Sequence, residues 1–469
     1  EAVSQTLLRN RRQSLHAAAM RAFEALYAGR LEDVYDHLAY HSSEANEPGK
    51  AVTYLALFAE KAARGYAHAE AAKALREAIV HAERLPEMER DDVVLRLALQ
   101  LASSLLPLAR FPETLEIFLR YRRTLERRGD PTLAGPYYFW LALTYSYLGD
   151  QEEAASNAQR AIEAARQAGD TTTEGRAWYV LCRDAFWSGR FSEGIEHGRQ
   201  AVSLLERSAD RWWQGQAYWV AGFHHYVLGQ FEEAFEMMER AEGIWKALQD
   251  PRLDPSWSTG YFHASLGDWE QGIEKCKGGL ERTQDPLNTA AALGFLGYAY
   301  LEKGDLRPAI QALEDSVERL RQAGMLQLFG WFSAFLAEAY LLAGDSAAEA
   351  RELALRALGA TEASRFRYGT GLAQRALGRI AAAAGDKTEA EDWLREAMES
   401  FRAIQAPFEE GRTHFDLALL AHRKGEAGEA ARQLGEAYRL FSELRVPKYL
   451  AKAERLAGDL TPPLAPASA

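Results

Sequence analysis

The sequence contains little cysteine: only Cys182 and Cys276 occur in 469 residues. This excludes a disulfide-stabilised secreted domain, whose fold depends on several cysteine pairs. Both cysteines lie in amphipathic helical patterns, so we expect each thiol to pack as a small hydrophobic side chain in a reducing compartment. Long runs of Val, Ile or Thr are also few, whereas Ala, Leu, Glu and Arg recur throughout. This composition favours helix along the whole chain.

Membrane and nucleic-acid signals are missing. No apolar run approaches the ~20 residues that a membrane-spanning helix needs, and no charged-then-apolar signal segment opens the chain. Acidic residues outnumber basic ones by 67 to 55, which gives a net charge of −12. That sign is wrong for a surface that neutralises many phosphates. We therefore expect a cytoplasmic protein that binds neither a membrane nor nucleic acid directly.

Catalytic motifs are missing as well. The sequence has no G-x-x-x-x-G-K-[ST] phosphate loop and no histidine spacing of the zinc-protease type. Acidic pairs such as Glu152-Glu153 and Glu232-Glu233 open helices, where the helix dipole favours them and solvent surrounds them. We expect a protein that is not an enzyme and that uses no cofactor and no metal.

The chain does contain a repeated turn. Short stretches such as "YLGD", "VLGQ" and "LAGD" return at intervals of 37 to 41 residues. A fixed period of this size indicates stacked helical units that cannot bury their apolar faces alone. The glycines of these turns are Gly149, Gly189, Gly229, Gly267, Gly304, Gly344, Gly385 and Gly425.

Small residues recur at matched offsets from these glycines. A small residue stands seven positions before every one of them, from Ala142 in the first unit to Ala418 in the last, and others recur about five and twelve positions after. Small side chains at matched points let two antiparallel helices approach closely. Each unit is therefore predicted to be a helix, a tight turn and a second helix. Asp250-Pro251, Asp285-Pro286 and Ala406-Pro407 are expected to mark ends of second helices.

These offsets resemble the tetratricopeptide repeat, and "LGYAYLEKGDLRPAIQALEDS" fits its pattern well. The resemblance covers residues 92–446, with a period of about 40 residues rather than the commoner shorter one. It implies an all-α fold, an α-solenoid of stacked helical hairpins that forms a right-handed superhelix. A capping helix is expected over residues 447–460 and a disordered tail over residues 461–469.

Residues 1–91 also read as amphipathic helices, with less regular spacing. They resemble the segment that follows the nucleotide-switch module in bacterial STAND-type ATPases, including those linked to cyclase or kinase domains. The chain starts at Glu1 without a methionine. We therefore expect a piece of a longer regulator whose ATPase and output domains precede it.

Aromatic residues are concentrated in four consecutive units, which hold nine of the eleven tryptophans. In tetratricopeptide arrays the first helix of each unit lines the concave surface, and the resemblance implies that the positions 13, 10, 6, 3 and 2 residues before the turn glycine are exposed there. Aromatic and arginine side chains are the types in which binding energy concentrates. The alternative is that these rings fill a tightly curved superhelix. The predicted ligand-binding residues are Arg176, Tyr179, Arg183, Phe186, Trp187, Trp219, Phe223, Tyr226, Trp257 and Tyr261.

Three histidines near the turns, His224, His225 and His263, raise the question of a metal site. His225 and His263 stand four residues before their turn glycine, where other units carry tyrosine. Adjacent residues such as His224 and His225 diverge on a helix, so they make a poor ligand pair. We expect all three to serve packing.

The resemblance implies a ligand-sensing repeat domain of a signalling ATPase, which recognises a peptide, a protein or a small ligand in its concave aromatic groove. A constitutive scaffold for protein partners, without a switching role, is the alternative. An ATPase upstream in the full protein would favour the sensor.

Overall fold

In the computed structural model, the described residues are 9–249, 254–344 and 347–460, and they form 23 α-helices, one short 3-10 helix and no strand. The predicted all-α solenoid is confirmed. One described helix, Leu326–Ala343, is long and apolar enough to cross a membrane, with a mean hydropathy of 1.3, but 61% of it is buried within the protein.

The first part of the chain forms six helices and a short 3-10 helix, Leu31–Val34. Met20, Val34 and Leu38 are the buried centre of its first hydrophobic cluster. In chain order the helices are α1 (Arg9–Leu26), α2 (Tyr35–Glu44), α3 (Pro48–Arg64), α4 (His68–Ala82), α5 (Glu87–Leu105) and α6 (Phe111–Arg128).

The remaining helices alternate as first and second members of hairpins and end with one single helix. They are α7 (Pro131–Leu148), α8 (Gln151–Ala168), α9 (Thr171–Trp187), α10 (Phe191–Arg207), α11 (Arg211–Val227), α12 (Phe231–Leu248), α13 (Ser256–Ser265), α14 (Trp269–Arg282), α15 (Pro286–Lys303), α16 (Leu306–Gln322), α17 (Leu326–Ala343), α18 (Ala347–Ala363), α19 (Arg367–Ala384), α20 (Lys387–Ala403), α21 (Pro407–Lys424), α22 (Ala427–Glu443) and α23 (Pro447–Leu460).

All eight predicted turn glycines end a first helix with a positive φ, between 75° and 96°. At Gly304, for example, φ is 91° and the backbone N–H returns to the carbonyls of Tyr300 and Leu301. A residue with a Cβ is strained in this left-handed conformation, which explains the glycine. The prediction of eight turns at these positions is confirmed.

The small residues at matched offsets lie where paired helices cross. A Cβ on Gly297 would stand 3.1 Å from the carbonyl oxygen of Ala309, and one on Gly378 would stand 3.2 Å from that of Ala390. The residue seven positions before a turn therefore faces the one five positions after it. Backbones this close leave room only for small side chains, so the helix crossing explains why small residues recur at these offsets.

Two of the three predicted boundaries between hairpins are found. Helices α15 and α21 begin at Pro286 and Pro407, and the Asp285 side chain accepts a hydrogen bond from the N–H of Asn288 at 2.8 Å. Asp250-Pro251 lies outside the described residues.

The chain divides into two compact units. One comprises Glu1–Tyr145 and Ser156–Thr173, and the other comprises Ser146–Ala155 and Glu174–Ala469. Helix α23 coincides with the expected capping helix and packs on the last hairpin through Tyr449, Ala453 and Leu456. The expected tail, residues 461–469, lies outside the described residues. The predicted domain boundary near residue 91 stays a prediction.

Candidate functional site

The ten predicted binding residues lie on first helices α9, α11 and α13, within the second compact unit. Arg176 and Trp219 are partly exposed. The other eight are buried, each with less than 9% of its surface exposed: Tyr179, Arg183, Phe186, Trp187, Phe223, Tyr226, Trp257 and Tyr261.

The structure does bring most of these rings together. Phe186 and Phe223 have ring centroids 5.6 Å apart, and Tyr226 and Tyr261 have centroids 5.4 Å apart. The partly exposed Trp219 stands edge-on to Trp257 at 5.5 Å and donates its Nε1–H to Ser258 Oγ at 2.7 Å. One surface therefore carries aromatic side chains from three consecutive hairpins.

The two predicted arginines are engaged by their own neighbours. Arg176 forms an ion pair with Asp210, with 2.6 Å between Nη2 and Oδ2. Arg183 donates to Ser146 Oγ at 2.5 Å, and its guanidinium lies 3.9 Å from the centroid of the Tyr147 ring. Both guanidinium groups therefore already have partners within the chain in this arrangement.

The expectation of an open concave groove is not met, because later hairpins cover the surface. Trp331 of α17 lies 6.1 Å from the Phe186 ring and 5.8 Å from the Tyr261 ring. Phe366 lies 4.9 Å from Trp187. We call these rings the aromatic cluster, which comprises Phe186, Trp187, Phe223, Tyr261, Phe295, Trp331, Phe366 and Tyr368.

Trp331 lies outside the run of tryptophans that the sequence singles out, yet it contacts six other members of the aromatic cluster and is 2% exposed. It stands thirteen residues before Gly344, which is one of the predicted concave offsets. Applying the same offsets to later hairpins would have found it.

The covering hairpins contact the turns of the early hairpins along a line that we call the seam. The turns at Gly149, Gly189 and Gly229 meet residues 363–367, 404–407 and 444–447 there. Gln151 Nε2 donates to the carbonyl of Ser364 at 2.9 Å, across 213 residues of sequence. A Cβ on Gly189 would lie 2.6 Å from Ile404 Cγ2. The turn glycines of the early hairpins therefore also permit a close approach to later parts of the chain.

Beside the aromatic cluster lies a charged cluster that the sequence analysis missed. Arg412 donates to Glu302 Oε1 at 2.6 Å and to Tyr298 Oη at 3.0 Å. Arg379 bridges Glu338 at 2.6 Å and Asp416 at 2.9 Å. The members of this charged cluster are Glu302, Glu338, Arg375, Arg379, Glu409, Arg412, Asp416 and Lys452.

Opposite charges are balanced in the charged cluster, four cations against four carboxylates, as buried ions require. Burial by itself raises the pKa of Glu302, but the positive charges of Arg412, Lys452 and Arg379 outweigh it and lower that pKa to about 2. The pKa of Glu409 is lowered in the same way: burial opposes, and the charges of Arg375 and Arg412 prevail. These carboxylates are therefore ionised at neutral pH.

The signal for this cluster is present in the sequence. Arg375, Arg379 and Arg412 stand ten, six and thirteen residues before their turn glycines, which are the predicted concave offsets.

Four N–H donors in or beside these two clusters are buried without an acceptor: Nε1 of Trp187, Trp257 and Trp331, and Nε of Arg375. Trp257 packs on Phe295 with centroids 5.5 Å apart, at the edge of the aromatic cluster. A buried donor that loses its hydrogen bond to water is costly, so native proteins contain few of them. Buried Nε1–H groups without an acceptor also occur outside these clusters, on Trp245 and Trp269.

The histidines and cysteines serve packing. His224 is fully buried, its Nε2 lies 2.9 Å from the carbonyl oxygen of Cys182, and burial lowers its pKa to about 3. His225 pairs with Gln230 at 2.6 Å, and His263 lies beside Asp268 at 3.9 Å. Within the described ranges, no three His, Cys, Asp or Glu side chains are grouped closely enough to hold a metal ion.

The family model of the MalT-like TPR region matches residues 181–441, which is more than half of the chain. The chain belongs to the family of MalT-like TPR regions. A tetratricopeptide repeat model also matches residues 135–167, so the predicted resemblance to a repeat array is confirmed. Among curated proteins, no sequence matches the chain.

Solved structures that resemble this MalT-like TPR region share little sequence with it. A Rap protein complexed with competence and sporulation factor is 13% identical, with a TM-score of 0.46, and the alignment covers 84% of this chain and 98% of that one. The apo form of RapI is 10% identical, with a TM-score of 0.35 over 66% and 98% of the two chains. BtubC from P. vanneervenii is 14% identical, with a TM-score of 0.32 over 60% and 96%. All three TM-scores are below 0.5, and the family assignment depends on the sequence match alone.

Proposed function

We propose that this MalT-like TPR region is the non-catalytic sensor of a larger cytoplasmic signalling ATPase, and that it binds a peptide, a protein or a small ligand through its aromatic cluster. The single observation that carries this proposal is the set of buried N–H donors without acceptors on Trp187, Trp257, Trp331 and Arg375. A ligand rich in carbonyl or carboxylate oxygens would supply the missing acceptors.

Because later hairpins cover the aromatic cluster, a ligand has to compete with contacts inside the chain. Tyr261 Oη lies 3.2 Å from Tyr368 Oη, and Phe366 packs on Trp187. Binding would replace such contacts and favour an arrangement in which residues 363–368 have moved away. A ligand shifts such an equilibrium only by its difference in affinity between the two arrangements. This coupling could pass the signal to an attached ATPase.

Trp219 is the residue with which to test the proposal, since it is partly exposed and touches Trp257 at the edge of the surface. Trp393 is a matched control: it is also partly exposed, and its Nε1–H donates to Glu389 at 3.2 Å on the second helix α20. Hits from a thermal-shift screen of synthetic peptides and small metabolites would be titrated calorimetrically against both alanine variants.

We expect Trp219→Ala to weaken binding by roughly 1–3 kcal/mol, the usual range for an aromatic anchor, and Trp393→Ala to leave it unchanged. Hydrogen exchange should also increase in residues 363–368 when the ligand binds. Equal affinities of both variants would contradict the proposal. So would a Trp219→Ala variant that melts as low as Leu296→Ala, whose side chain is 6% exposed in the helix-pair core. Binding without faster exchange in residues 363–368 would indicate a constitutive scaffold.

A further inference from the structure

Along the seam lies an open cavity of about 340 Å³ that is separate from the aromatic cluster. Its volume lies at the lower end of the ~300–1,000 Å³ range of small-ligand pockets. One wall comes from the turns of the first hairpins and the other from the loop before α19. The side chains that bear on its chemistry are Gln151, Asp184, Ser188, Arg190, Arg365 and Arg367.

Asp184 lines this cavity and carries an unused, buried acceptor. The side chain is 1% exposed, and its Oδ2 accepts a hydrogen bond from Arg190 Nη2 at 2.8 Å. Its Oδ1 is buried without a hydrogen-bond partner. A buried carboxylate oxygen without a donor is costly, and a cationic or N–H-bearing ligand group would satisfy it. Burial also raises the pKa of Asp184 to about 6, against the opposing charges of Arg190 and Arg183.

The opposite side of the cavity supplies positive charge. Arg365 is paired with Glu152 at 3.1 Å, but both side chains are more than 60% exposed, so the pair is weak. Arg367 has no ion pair or side-chain hydrogen bond within the described part of the chain, and its Cβ lies over the turn at Gly189. A guanidinium in this position can fork onto a carboxylate.

We propose that this cavity binds a free α-amino acid, with its ammonium group on Asp184 Oδ1 and its carboxylate on the guanidinium of Arg367. Asp184 and Arg367 lie on opposite sides of the seam, which the hydrogen bond from Gln151 to Ser364 crosses. The proposed ligand therefore needs residues from both sides. An amino acid bound here therefore stabilises the arrangement in which later hairpins cover the aromatic cluster. The site is separate from the aromatic cluster, and an amino acid bound here opposes the ligand proposed for that cluster, because that ligand favours displacement of residues 363–368.

The test is a thermal-shift measurement of the full chain with each common amino acid separately, followed by calorimetric titration of those that stabilise it. The probes for each charge are the amino acid amide, which lacks the carboxylate, and the N-acetyl derivative, which lacks the ammonium group. The variants are Asp184→Asn, which keeps the shape of the side chain, and Arg367→Gln, which changes an exposed residue. Arg445→Gln is the control, since Arg445 is the exposed counterpart of Arg365 in a later loop and lines a different cavity.

We expect at least one amino acid to raise the unfolding temperature, and both site variants to weaken its binding about tenfold or more, while Arg445→Gln leaves it unchanged. The amide and the N-acetyl derivative should bind equally poorly. Failure of every amino acid to bind would overturn the proposal, as would unchanged binding by a folded Asp184→Asn variant. Binding of the N-acetyl derivative as tightly as the parent would show an anion site and refute the zwitterion. Trp219→Ala should leave amino acid binding intact, so this proposal and the sensor proposal can fail separately.

Discussion

The seam predicts that two turn glycines with the same backbone conformation respond differently to the same substitution. Gly189 and Gly425 both end a first helix, with φ of 75° and 80°. A Cβ on Gly425 meets nothing within 4 Å, whereas one on Gly189 would lie 2.6 Å from Ile404 Cγ2 and 3.1 Å from Arg367 Cβ. The substitutions Gly189→Ala and Gly425→Ala therefore share the conformational cost and differ only in the seam contact.

The shared cost of an alanine in the left-handed conformation is roughly 1–2 kcal/mol. Gly189→Ala must also move its neighbour by about 0.8 Å to restore ordinary contact, and overpacking of this kind costs about 1–3 kcal/mol more. Ile404 is β-branched and buried, so its Cγ2 cannot rotate away freely. For a chain of this size we expect Gly189→Ala to melt roughly 1–3 °C below Gly425→Ala.

Thermal unfolding monitored by circular dichroism measures this difference, and hydrogen exchange around residues 363–367 and 402–407 locates it. Exchange there should rise in Gly189→Ala and not in Gly425→Ala. Gly189→Ala should lower the melting temperature less in the Ile404→Ala background than in the parent protein, because removing Cγ2 makes room for the new methyl group. Equal melting temperatures for the two single variants, or an equal loss in both backgrounds, would refute the close approach at the seam.

Two further predictions concern charge and metal. The pKa of Glu302 is lower in the folded protein than its usual value near 4.5, so the ionised group stabilises the fold above about pH 4.5. This contribution is at most about 3 kcal/mol, and it is lost as the pH falls towards 2. Glu302→Gln should flatten the pH dependence of the melting temperature between pH 5 and about 2.5, whereas Glu436→Gln on the exposed surface should not. Parallel curves for the two variants would contradict a stabilising role of ionised Glu302 in the charged cluster. Chelation should leave the melting temperature unchanged, since His224 and His263 serve packing, and a drop that zinc reverses would show a metal site.

The sequence by itself predicted the turns and the pairing of helices, which depend on neighbours along the chain. The turn at Gly304 and the close pair of Gly297 and Ala309 follow from a left-handed residue and from helix crossing, and both are local requirements that fix residue types at fixed offsets. The clustering of Phe186, Phe223 and Tyr261 also follows, because equivalent positions of stacked hairpins face the same side.

Only the tertiary structure decided whether that side is open. Each hairpin is rotated slightly against the one before it, and the sum of these rotations determines whether residues 213 positions apart meet, as Gln151 and Ser364 do. A small difference in each rotation is enough to separate an open groove from a covered one. The rotation depends on the volumes of the side chains packed between hairpins and not on the repeat pattern of the sequence. For this reason the periodicity could identify the side on which Trp187 lies, but it could not show that Phe366 would cover it.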